Sequence, residues 1–105
     1  MSDHLAPIVF EAIVRKLCIA GSYNRAEVTI APHVIYKRHD ELYVDAITMD
    51  RDGRPPKEEK IGTFKLAGLA PIRLTARRFP ANPLFQPDDP KYVGNALLAV
   101  ETEAA

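Results

Sequence analysis

The stretch that decides the fold is Ala26-Glu27-Val28-Thr29-Ile30-Ala31-Pro32-His33-Val34-Ile35-Tyr36, followed by Glu41-Leu42-Tyr43-Val44 and by Gly62-Thr63-Phe64-Lys65-Leu66. Val28 and Ile30 alternate with Glu27 and Thr29, which is the period of a half-buried strand. Pro32 cannot donate to a sheet ladder, so it demands an edge position or a bulge. Ile35 and Tyr36 lead into a turn at His39-Asp40, and Leu42 through Met49 returns as the second arm of a tight hairpin. Further on, Phe64 and Leu66 point one way while Thr63 and Lys65 point the other. The same alternation recurs with Ile72 and Leu74 against Arg73, Thr75 and Arg77. Between those two runs, Ala67-Gly68-Leu69-Ala70-Pro71 has room for a single 3₁₀ turn.

Working outward, Leu5, Ile8, Val9, Ala12 and Ile13 recur at three- and four-residue spacing and share one helix face. Pro7 suits the first turn, where its missing N–H costs nothing. The helix should fade near Leu17, with Gly21-Ser22 breaking the pattern and Cys18–Ala20 with Tyr23 forming a first short strand. Asp50 to Lys60, with mixed charges around Asp52-Gly53 and Pro55-Pro56, reads as a solvated loop. After Phe79 the pattern changes. Pro80, Pro83, Pro87 and Pro90 forbid regular structure, and Phe79, Leu84 and Phe85 are the apolar anchors for a segment crossing the surface. Residues 92–100 suit either a helix, through Val93, Ala96, Leu97 and Val100, or an edge strand through Ala96–Val100. Periodicity leaves both open.

The expectation is one mainly β (α+β) domain over residues 1–105. An N-terminal helix precedes a small SH3-like or Sm-like antiparallel β-barrel over 5–79, and 80–105 form an irregular Pro-rich extension.

At 105 residues the chain has room for a single modest core. Fourteen basic residues balance fourteen acidic ones, which argues against a dedicated duplex-DNA binder. The single Cys18 fits a reducing compartment and reads as a buried small hydrophobe rather than a nucleophile. Glu11 and Arg15 interrupt the apolar N-terminal run too soon for a membrane span or a signal peptide, so the expected location is cytoplasmic. His4, His33 and His39 are too scattered for a zinc site, and neither a Gly-rich phosphate loop nor a nucleophile elbow is present. Asp88-Asp89, between prolines, reads as a cap for whatever begins at Lys91. The expectation is therefore no catalytic centre, no metal and no cofactor.

One group of residues invites a functional reading. If the two later strands pair, Thr63, Lys65, Arg73, Thr75 and Arg77 form a polar stripe on the face opposite Phe64, Leu66, Ile72 and Leu74, with Tyr23, Tyr36 and Tyr43 at its border. Cations beside aromatic rings suit nucleotides or single-stranded nucleic acid. The competing reading is an ordinary solvated strand face with tyrosines packed at its margin.

Over Leu5 to Phe79 the chain resembles the WYL domain, a bacterial sensor module with an Sm-like or SH3-like barrel. Leu42-Tyr43-Val44 matches the Trp-Tyr-Leu triplet, and Pro32-His33 match the strand-breaking proline ahead of that hairpin. Tyr23 matches the tyrosine ending the first strand. Phe64-Lys65-Leu66-Ala67-Gly68-Leu69 resembles the Phe-Arg-Leu-Asp-Arg-Ile signature, and Phe79 resembles the apolar residue closing the domain.

The resemblance implies a non-catalytic, effector-sensing domain in transcription regulation, with a nucleotide or single-stranded nucleic acid as ligand and a regulator protein or a second copy as partner. The ligand-binding residues it implies, together with the polar stripe, are Tyr23, Tyr43, Thr63, Lys65, Arg73 and Arg77. Family members usually carry a winged-helix DNA-binding domain in front, for which this chain leaves no room, so a stand-alone module is expected. Two departures bear on the ligand. Lys65 replaces an arginine and lacks its bidentate fork, and Gly68 replaces the second arginine with no side chain at all. The alternative is a structural or protein-interaction module that keeps the barrel and has lost the ligand.

Overall fold

The structure is a computed structural model and describes residues 5–69 and 71–102. His4 lies outside them. Helix α1, Ala6–Arg15, leads into strands β1, Leu17–Tyr23, β2, Ala26–Arg38, β3, Glu41–Arg51, β4, Ile61–Lys65, β5, Ile72–Arg78, and β6, Ala96–Ala99. A 3₁₀ turn at Leu66–Gly68 joins β4 to β5. The protein is mainly β and every strand pairing is antiparallel.

Helix α1 buries Ala6, Val9, Ala12 and Ile13 against β1, β2, β5 and β6. It ends at Lys16, whose left-handed backbone (φ 54°) turns its N–H back onto the Ala12 and Ile13 carbonyls. The stop therefore comes before Gly21-Ser22, which instead lie inside β1. Gly21 is required there because a Cβ would stand 2.9 Å from the Pro71 carbonyl oxygen of the neighbouring strand's approach.

Strand β2 organises the sheet. One of its edges pairs with β3 throughout, and the other is shared: residues 26–30 pair with β1 and residues 34–36 with β6. Register shifts at Thr29/Ile30 and Pro32/Val34 bend the strand between those partners, and Pro32 sits at the second, as its missing N–H requires. The β2–β3 hairpin closes on His39 and Asp40 with φ of 50° and 64°, the two-residue turn whose twist suits the flanking strands.

The sheet runs β4-β3-β2-β1-β5 and does not close into a barrel. The expected pairing of β4 with β5 is absent, and these strands are the two ends of that order. Tyr23 of β1 packs instead where β4 runs into the 3₁₀ turn. The Tyr23 ring packs edge-on to Phe64, with centroids 5.0 Å apart. It also lies 3.0 Å from where a Gly68 Cβ would be, and its hydroxyl accepts the Lys65 N–H at 3.4 Å.

The core draws on α1, all the long strands and the tail. Phe64 and Leu66 are buried as their alternation requires, as are Ile72 and Cys18. In the tail, Phe79 and Phe85 are anchors, but Leu84 is exposed because the turn after Pro83 carries it outward. Tyr92 and Val100 are the further anchors. Residues 96–99 resolve the helix-or-strand alternative in favour of a strand, with Val100 N–H donating to the His33 carbonyl at 2.7 Å. Asp89 does cap the turn after it, its Oδ1 accepting the Lys91 N–H at 3.0 Å. No helix among the described residues is long and apolar enough to cross a membrane.

Candidate functional site

On strand pairs the side chains of partnered residues share a face, so Lys65, Tyr43 and Tyr36 form one row across β4, β3 and β2, and Thr63, Asp45 and Val34 the next. Tyr43 is half-buried and stacks on buried Tyr36, with centroids 6.0 Å apart and planes at 26°. Beside it, Lys65 is half-exposed and its Nζ lies 2.7 Å from a Glu41 oxygen. The Glu41 hydrogen bond holds the Lys65 ammonium above its ordinary value, with Tyr43 and Tyr23 adding smaller effects of the same sign. Tyr23 reaches this edge from β1 through its contacts with Phe64 and the Lys65 N–H. Tyr43, Thr63 and Lys65 thus share one face, with Tyr23 at its margin, its ring on Phe64 of the opposite face.

Arg73 and Arg77 are not part of it. They lie on β5, whose partner is β1 at the other end of the sheet. Arg77 is bound to Asp50 at 2.8 Å, while Arg73 has no ion pair among the described residues. Thr75 is occupied in the fold, donating its hydroxyl to the Cys18 carbonyl at 2.7 Å, where the β1–β5 register shifts. The single polar stripe expected from alternation is therefore two separate groups, because it depended on β4 pairing with β5.

Behind Tyr43 lies a joint that sequence reasoning missed. Asp45, 1% exposed, accepts hydrogen bonds at Oδ1 from the Tyr36 hydroxyl and the Thr63 hydroxyl, both at 2.8 Å. At Oδ2 it accepts from the Tyr92 hydroxyl at 2.5 Å and from the Lys91 ammonium at 2.8 Å. Burial alone would raise the carboxyl. Hydrogen bonds from Lys91, Tyr92, Tyr36 and Thr63 outweigh it and hold Asp45 below the usual carboxylate range. Burial first, and then the bond to Asp45, pushes Tyr36 up to about 12 and raises Tyr92 as well. With two donors on each oxygen, Asp45 has no lone pair left for a substrate, so this is a structural joint rather than a general base. The available signal was an acid inside the apolar run Val44–Ile47, which only a buried partner set explains.

His33 makes a second joint. Its Nδ1 lies 2.8 Å from the Ala31 carbonyl, and its Nε2 accepts the Asn82 N–H at 3.0 Å, which fixes the neutral Nδ1–H tautomer. The ring sits between Phe79 and Phe85, and burial lowers its pKa. Cys18 is buried, and burial raises its thiol. Among the described residues no three His, Cys, Asp or Glu side chains are placed to hold a metal ion. In comparisons with known proteins, no family model, no curated protein and no solved structure matches the chain.

Proposed function

We propose that this chain is a non-catalytic, effector-sensing regulatory domain of WYL type, taking a nucleotide or single-stranded nucleic acid at the Tyr43–Lys65 edge of the sheet. The observation that carries this reading is the half-exposed Tyr43 ring, braced from behind by Tyr36 and flanked by the Lys65 ammonium. A braced ring offers a stacking plane at little entropic cost, and an adjacent cation suits the phosphate of the same nucleotide. The Glu41–Lys65 pair is a surface contact screened by solvent, so an incoming phosphate displaces the carboxylate easily.

The SH3-like or Sm-like assignment belongs to the same proposal. The leading helix, the bent β2 shared between β1 and β6, and the 3₁₀ turn between β4 and β5 support it, with β4 and β5 left unpaired. Work in the cytoplasm beside a regulator protein or a second copy of the chain completes the proposal.

A structural or protein-interaction module is the second reading. What favours it is that Thr63 and Lys65 are already engaged by Asp45 and Glu41, and that Gly68 supplies no cation. A binding screen of labelled oligothymidylate and of the common nucleotides at low ionic strength separates the two. Saturable binding that weakens with added salt supports sensing. Absence of binding to every probe leaves the interaction module as the function.

A further inference from the structure

The β3–β4 connection reads in sequence as a loop of mixed, solvated charge, but the fold sorts those charges. Asp50 is held by Arg77 of β5 at 2.8 Å. Asp52 Oδ1 accepts the Glu27 N–H at 3.0 Å, at the start of β2. Glu59 faces the small cavity beside His33, Met49 and Phe79. The bases gather elsewhere: Arg51, Arg54, Lys57 and Lys60 all line one open groove of about 500 Å³. Its apolar surface comes from Pro55, Pro56 and Ile61, and among the described residues the one carboxylate lining it is Glu58, 3.6 Å from Lys60.

Arg51 and Arg54 make the case sharper. They oppose one another across the Asp52–Gly53 turn, exchanging backbone hydrogen bonds of 2.7 and 3.1 Å. Directly opposed residues bring their Cβ atoms within about 5.5 Å, and like charges there repel. Among the described residues neither guanidinium has a carboxylate partner. An anion between them would offset that repulsion, and the planar guanidinium fork matches phosphate in two-point contact.

We propose that this groove is a binding site for an organic polyphosphate, its phosphates held by Arg51, Arg54 and Lys57 and its body resting on Pro55, Pro56 and Ile61. The site is independent of the Tyr43–Lys65 reading. Lys65 is four residues along β4 from Ile61, roughly 13 Å away at strand rise.

Amide NMR of the full chain, titrated with adenosine triphosphate and with inorganic tripolyphosphate at low salt, tests it. Shifts should appear with both probes at Arg51, Gly53, Arg54, Lys57 and Ile61, and with tripolyphosphate, which has no base to stack on Tyr43, they should spare Lys65. The nucleotide should bind roughly fivefold tighter than tripolyphosphate, since only it can use the apolar surface. Arg54→Ala with Lys57→Ala should weaken binding roughly tenfold, with the melting temperature nearly unchanged because both side chains are exposed. The proposal would be overturned by no shifts at low salt, by shifts spread equally over Arg25, Arg38 and Lys65, or by unchanged affinity in the double variant. Equal affinity for the two probes would overturn the part assigned to the apolar surface. Shifts confined to Tyr43 and Lys65 would sink this site while leaving the other intact.

Discussion

Asp45 sits in the apolar run Val44–Ile47, where an ionised carboxylate without donors would be driven to neutralise itself. It stays ionised because Tyr36, Thr63, Tyr92 and Lys91 all donate to it. The linkage has a definite sign. A carboxyl whose folded pKa lies below its unfolded value, here 3.8, adds stability that is complete above that value and is lost as pH falls through the folded one. Asp45→Asn should therefore cost about 2–3 kcal/mol at neutral pH. The gap in melting temperature between wild type and variant should hold down to about pH 5 and shrink below about pH 4. His33, kept neutral by burial, destabilises both proteins equally as pH drops below 6.5, so its effect cancels in the difference. Circular dichroism melts showing a gap that ignores acid would remove Asp45 from this role.

The elements were legible in sequence wherever period and turn chemistry agreed. The leading helix, the β2–β3 hairpin with its His39-Asp40 turn and the inward Phe64 and Leu66 all follow from local pattern, and of the edge or bulge open to Pro32 the register shift beside it is the outcome. What local pattern could not supply was pairing. Strand β5 pairs with β1 rather than with β4, and the choice of partner is a tertiary fact that alternation along each strand does not encode. The candidate site divided for that reason: Tyr23, Tyr43, Thr63 and Lys65 converge, whereas Arg73 and Arg77 follow β5 away. Strand β6 was open in sequence because its exposed Leu97 is apolar, which erases the alternation that marks a half-buried strand. The helix does fade near Leu17, but Gly21-Ser22, which read as a break in the pattern, lie inside β1, where Gly21 allows its close approach to the start of β5. Gly21→Ala should cost roughly 1–3 kcal/mol, because one contact is a backbone oxygen that cannot rotate away. Urea denaturation with no measurable loss would mean that β1 and β5 sit further apart than described here.

At the scale of the molecule, the proline-punctuated tail is part of the domain rather than an appendage. Phe79, Phe85, Tyr92 and Val100 enter the core, β6 extends the sheet, and Lys91 with Tyr92 completes the Asp45 joint. Phe64, buried on β4 against Tyr23, ties the open edge to that core. Phe64→Ala should cost about 3–5 kcal/mol, a large part of the stability of a domain this size. A loss under about 1 kcal/mol in chemical denaturation would mean the faces of β4 are inverted.

The central claim is that an anionic, base-bearing ligand meets the sheet at Tyr43 and Lys65 and not along β5. Fluorescence anisotropy of a short labelled oligothymidylate at low salt, run on wild type and three variants, tests it most directly. Tyr43→Ala should weaken binding by about 1–3 kcal/mol, as loss of one stacked base does. Lys65→Ala should lower the log–log salt slope by about 0.7, one phosphate contact on a single strand. Arg73→Ala with Arg77→Ala should leave affinity and slope near the wild-type values. Binding that survives Tyr43→Ala and Lys65→Ala but collapses in the Arg73/Arg77 double variant would contradict the claim.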